Sequence, residues 1–212
     1  MGLFQSRKST LPTREDALPG RPEPLRVPVR HFVNGNRIVP PFPANVEAAL
    51  FGLGCFWGAE RKFWQTDGVY STAVGYAGGY TPNPTYEEVC TGDTAHAEAV
   101  QVAFDPSLIS YGEILDIFWQ AHDPTTLNRQ GPDTGTQYRS AIFWSSEAQR
   151  EAAEKSRKKA QAKWHDPIVT EVVPLEEFWA AEDYHQNYYN SHQSAGYCRI
   201  VISPKLKKLK LE

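Results

Sequence analysis

The chain has 212 residues, 41% hydrophobic and 22% charged, with a formal net charge of −3 at pH 7. That length and balance suit one soluble domain with a real core, and the slight acidity excludes the basic face that nucleic-acid binding needs. No apolar run is long enough to span a membrane and residues 1–30 carry no apolar signal core, so a cytoplasmic protein is expected.

The opening MGLFQS fits the short Met-Gly-x-x-x-Ser pattern of N-myristoylation, one that arises often by chance. Residues 1–45 are dense in proline ("LPGRPEPLRVP", "VPPFP"), which excludes a long helix or a central strand. They read as an arm packed on the domain formed by residues 46–200. Val46–Gly54 is a short apolar run, expected as a strand buried on both faces. A helix is expected over Gly58–Asp67, then a strand in VYSTAVGYAGG and a short helix in NPTYEEVCTG. AEAVQVAF alternates as a strand with Glu98, Val100, Val102 and Phe104 on one face. Ser110 and Glu113 form a capping box for a helix through EILDIFWQAH, striped by Ile114, Ile117, Phe118 and Ala121. RSAIFWS reads as a strand, and Ser146 with Gln149 caps a long polar helix. IVTEVVP is a further strand, and EEFWAAEDYHQNYYNSH a last helical or turn-rich segment. Residues 201–212, with KLKKLKLE, read as a short basic tail that frays into solvent. Strands alternating with helices imply one sheet with helices packed on it.

Three cysteines, Cys55, Cys90 and Cys198, are too few and scattered for a disulfide scaffold or a zinc site. Cys55 lies in GCFWG, where a strand gives way to a helix. Free N–H groups and the positive end of the helix dipole there favour a thiolate. A buried, inert cysteine is the competing reading. Glu98 points toward apolar neighbours, which raises a carboxyl's pKa and suits a proton donor; solvent or a basic partner is its alternative. Tyr86 and Tyr138 follow Gly/Pro-rich turns, where functional groups are often carried.

Taken together, these stretches resemble one family, the A-type peptide-methionine sulfoxide reductases. GCFWGAE at 54–60, GYAGGYTPNPTYEEVCTGDTAHAEAV at 75–100 and HDPTTLNRQGPDTGTQYRS at 122–140 match its motif blocks, and GYC at 196–198 matches a position of its resolving cysteine. The resemblance implies an α+β two-layer sandwich of ferredoxin-like plan, with a central mixed sheet, packed helices and long irregular terminal segments. It implies thiol-dependent reduction of the S epimer of methionine sulfoxide, free or in proteins. Cys55 would attack the sulfoxide sulfur, with Glu98 as acid and Tyr86 and Tyr138 bonded to the oxygen. Phe56 and Trp57 would hold the methyl group, and Asp133 and His185 the substrate backbone. Cys198 would resolve the sulfenic acid as a disulfide. With no cysteine after Cys198, thioredoxin would reduce that disulfide directly. No cofactor or metal is implied, a monomer is expected, and Cys90 reads as a packed, silent thiol. A cysteine hydrolase, a thiol peroxidase and an aromatic binding module are the rival readings.

Overall fold

The computed structural model describes residues 9–204, so MGLFQS and KLKKLKLE lie outside the described residues. β1 (Glu47–Leu53) is the expected apolar strand, buried from Ala49 onward. α1 (Phe56–Trp64) begins before Gly58 and ends before Asp67, so Phe56 and Trp57 form its first turn rather than preceding it. β2 (Val69–Ala77), α2 (Tyr86–Thr91), β3 (Ala97–Phe104) and α3 (Tyr111–Ala121) follow. A two-stranded hairpin, β4 (Arg129–Gln130) with β5 (Asp133–Thr134), leads to β6 (Ser140–Trp144) and α4 (Glu147–Gln161). The chain then forms β7 (Glu171–Pro174), β8 (Phe178–Ala180) and the single-turn α5 (Tyr188–Ser191).

Among the described residues the main sheet has six strands in the order β7-β6-β1-β3-β2-β8. Its inner strands, β6-β1-β3-β2, are all antiparallel neighbours. With α1 between β1 and β2, and α3 between β3 and β6, this is the split βαβ plan of a ferredoxin-like sandwich. β7 extends one edge in parallel and β8 the other in antiparallel, making the sheet mixed.

Period-two alternation sorts the strands onto two faces. Phe51, Val74, Tyr76, Val100, Val102 and Phe104 point toward the helices and pack with Phe56, Phe63, Leu115 and Phe118. The opposite face is built of smaller residues such as Ala97, Ala99 and Ala141. The proline-rich segment reaches it there: Gln101 Nε2 donates to the Ile38 carbonyl at 3.0 Å and the Ser71 hydroxyl to that of Arg37 at 2.5 Å. β8 covers only the Gly75–Ala77 end of β2. The remaining edge is closed by side chains, with Asn34 and Asn36 donating to the Tyr70 carbonyl.

The capping box at Ser110 and Glu113 forms as its spacing predicts. At α4, Ser146 accepts from Gln149 N–H, but the Gln149 side chain bonds Ser145 N–H rather than closing the box on Ser146. The last segment corrects the sequence reading. EEFWAAEDYHQ is not helical at its start: Phe178–Ala180 is a strand, recruited by the open edge of β2. Gly75 permits it, because a Cβ there would lie 2.3 Å from the Trp179 carbonyl. No helix among the described residues is long and apolar enough to cross a membrane.

Candidate active site

The strand-to-helix junction sets the site. Gly54 turns the chain at φ +88, and a Cβ there would meet Gln130 Cγ at 2.6 Å, so glycine is required on both counts. Cys55 then occupies the N-cap of α1. Two of the helix's unpaired N–H groups are spent close by. Phe56 N–H donates to Glu98 Oε2 at 2.9 Å, and Trp57 N–H bonds the Cys55 sulfur. Glu98, 1% exposed, comes in from β3 under the first turn of the helix, on the apolar face its alternation predicts.

Burial pushes the Glu98 carboxyl up to about 8, against the Phe56 bond that lowers it, with the Asp133 charge adding to the rise. The Cys55 thiol is likewise pushed well above its ordinary value, first by burial and then by the charges of Glu98 and Asp133. This runs against the thiolate that the helix N-terminus by itself favours. The Trp57 N–H and the Tyr197 hydroxyl favour the anion but are outweighed, so Cys55 rests as a thiol. One side of it remains open to solvent, although the protein crowds it closely enough for burial to dominate its acidity.

An aromatic box stands over this pair. The Phe56 ring lies 6.3 Å from Tyr86 and 5.3 Å from His185, and Trp57 stacks on Tyr188 at 3.9 Å. The Trp57 indole N–H donates to His185 Nδ1 at 3.0 Å. Burial holds His185 down to about 4, so it is neutral and its Nε2 carries the proton. That nitrogen sits 4.0 Å from Glu182 Oε2, beyond hydrogen-bond range, and is buried with no hydrogen-bond partner among the described residues. Burial first, and then the nearby Glu98, Cys55 and Asp133 side chains, raise the Tyr138 hydroxyl. Asp133 on β5 accepts from the Tyr197 hydroxyl at 2.6 Å. A cavity of about 290 Å³ opens beside the thiol, bounded by Cys55, Gly58, Gln130, Asp133, Tyr197 and Ile202.

The structure therefore gathers Cys55, Phe56, Trp57, Tyr86, Glu98, Asp133, Tyr138 and His185 around one point. Cys198 is a free thiol, fully buried in a cluster with Tyr189 and Ile202 against which Trp57 packs, and its neighbour Tyr197 reaches Cys55. Cys90, one turn along α2 from Tyr86, bonds the Tyr86 hydroxyl and so belongs to the site's surroundings. Sequence reasoning missed Tyr197, Tyr188 and Glu182; Glu182 accepts from Tyr86 N–H and the Tyr76 hydroxyl, both at 2.9 Å. The only signal for Tyr197 is its place before Cys198. Among the described residues no group of three or more His, Cys, Asp and Glu is placed to hold a metal ion.

Comparison with known proteins identifies the family. The family model for peptide methionine sulfoxide reductase matches residues 47–212. A peptide methionine sulfoxide reductase MsrA of Rhodospirillum centenum is 56% identical over 204 residues, covering 94% of this chain and 93% of that one. The structure of methionine sulfoxide reductase A of Corynebacterium diphtheriae superposes with a TM-score of 0.79 at 43% identity, over 90% of this chain and 94% of that one. A structure of Mxr1 from Saccharomyces cerevisiae in complex with Trx2 aligns with a TM-score of 0.52 at 28% identity, over 71% of this chain and 89% of that one. A thiol at a helix N-terminus, a buried acid beneath it and this extent of likeness have one reading: the chain belongs to the peptide methionine sulfoxide reductase family.

Proposed function

We propose that the protein reduces the S epimer of methionine sulfoxide, in peptides or free, with Cys55 as nucleophile and Glu98 as acid. The observation that carries this is the buried Glu98 carboxyl, pushed up to about 8, sharing the first turn of α1 with the Cys55 thiol. Glu98 gives its proton to the sulfoxide oxygen while the Cys55 sulfur attacks the sulfoxide sulfur and its own proton returns to Glu98. The oxygen moves to Cys55 as a sulfenic acid, and methionine leaves. Tyr86 and Tyr138 hydrogen-bond the oxygen, Phe56 and Trp57 enclose the methyl group, and Asp133 and His185 hold the backbone.

Cys198 then leaves its apolar cluster and attacks the sulfenic sulfur, forming the Cys55–Cys198 disulfide and releasing water. A dithiol reductant restores both thiols. The Mxr1–Trx2 complex supports thioredoxin in that role, and a cytoplasmic site would supply it. A hydrolase would need a histidine at the thiol, whereas the groups acting on Cys55 are Glu98, Trp57 N–H, Tyr197 and Asp133.

The test is turnover of both epimers of N-acetyl-methionine sulfoxide with dithiothreitol, the epimers separated and followed in time. The S epimer alone disappears, and Cys55→Ser stops it. Loss of both epimers at equal rates, or of neither, overturns the reading.

A further inference from the structure

Between Glu182 and Asn187 most side chains are polar, yet Gln186 and Asn187 are buried as anchors. The Gln186 amide acts as a surrogate strand, accepting from Val74 N–H at 2.9 Å and donating to the Val74 carbonyl at 2.8 Å. Asn187, 1% exposed, turns the chain in the left-handed region at φ +54.

Glu60 holds that turn. Its carboxyl, fully buried on α1, accepts Asn187 N–H at 2.8 Å, Asn187 Nδ2–H at 2.9 Å and the Thr72 hydroxyl at 3.0 Å. The Thr72 hydroxyl meets His31 Nε2 at 3.0 Å. Val33 and Asn34 N–H both point at His31 Nδ1, and the Asn187 amide nitrogen lies 2.9 Å from His31 Nε2. Asn187 Oδ1 accepts Phe32 N–H at 2.9 Å. Three distant segments thus converge on one carboxyl: the proline-rich arm, the first helix and the final segment.

The convergence is next to the site. Glu60 lies one turn along α1 from Trp57, and Asn187 lies between His185 and Tyr188, which bond and stack on that indole. We propose that Glu60 is a positioning residue for the reduction. Through the turn at Asn187 it sets His185 and Tyr188 against Trp57, and so fixes the wall on which the substrate backbone rests. This deepens the proposed function and rests on its reading of Trp57 and His185.

The test uses the full chain with Glu60→Gln and, separately, Asn187→Gly. The glutamine places an amide N–H₂ against one of the Asn187 donors, whereas glycine keeps the turn and deletes the amide. Each variant is assayed for kcat and KM on the S epimer of N-acetyl-methionine sulfoxide, for Cys55 alkylation by iodoacetamide and for thermal unfolding. The expected result is a KM raised about tenfold with kcat within about threefold, as for loss of binding made equally in ground and transition states. Alkylation, which does not use the wall, stays within about twofold. Unchanged KM in folded variants overturns the proposal, as does turnover falling in step with alkylation. If Glu60→Gln does not fold, Asn187→Gly and Thr72→Val carry the same KM test. Failure of the wild-type chain to turn over overturns the parent reading, and this one with it; wild-type turnover with unaltered variants overturns this one alone.

Discussion

Glu98→Gln separates the acid from its shape. Glutamine is nearly isosteric and its carbonyl still accepts Phe56 N–H, but it neither ionises nor donates an acidic proton. Burial raises the carboxyl from 4.5 to about 8; at about 1.4 kcal/mol per pKa unit, ionising it in the folded state costs about 5 kcal/mol. The folded protein keeps a proton that the unfolded chain releases above 4.5. Its contribution to stability is therefore full below that value and lost as pH rises through about 8. Urea unfolding of both proteins between about pH 5.5 and 7.5 should show the wild type losing about 2–3 kcal/mol relative to the variant. Turnover of the S epimer by the variant should fall by about 100- to 10,000-fold, the usual worth of a general acid. Parallel stability curves would refute the reasoning: the carboxyl would already be ionised near neutrality and could not serve as the acid.

Burial holds His31, His96 and His185 down to about 4 from 6.5. Their stabilisation is present above 6.5 and lost as pH falls toward 4, at up to about 4 kcal/mol per pH unit for the three. Opposed to Glu60 and Glu98, whose carboxyls burial pushes up to about 8, they give a urea midpoint that peaks near pH 6 and declines on both sides; a monotonic profile counts against them. Gly54→Ala forces a side chain into φ +88 and against Gln130, and should cost about 1–3 kcal/mol in urea unfolding while lowering kcat. Cys198→Ser should release about one methionine per chain without reductant, leave a sulfenic acid that dimedone traps, and lose thioredoxin-supported turnover.

Short-range patterns carry the fold well where each pattern closes on itself. The Ser110–Glu113 box is complete within one helical turn, and the period of AEAVQVAF alone places Glu98 beside Val100. The start of α1 is harder to read because a glycine at 58 looks like a boundary. Here it instead lets Ile202 approach, within 3.0 Å of where a Cβ would stand. β8 is illegible for a different reason. Phe178–Ala180, at three residues, is too short to show a strand period and is extended where it pairs with the edge of β2. The anchors of AEDYHQN look like a solvated cap because their partners, Glu60, Val74, Tyr76 and Tyr86, lie about a hundred residues away in sequence.

The protonation of Cys55 shows the same limit and why it matters. The helix N-terminus is local and argues for a thiolate; burial by distant elements, with Glu98 and then Asp133 adding to it, tips the balance to the thiol. On the proposed reaction that reversal is useful. A thiol and a sulfoxide become a sulfenic acid and a thioether with no net proton taken from water. The proton on the new S–OH must therefore be supplied from inside the pocket. Glu98 delivers one to the oxygen and is restored by the one on Cys55, so the buried site never holds two anions at once, the arrangement burial penalises most. A resting thiolate beside an ionised Glu98 would be a stronger nucleophile with nothing to protonate the departing oxygen.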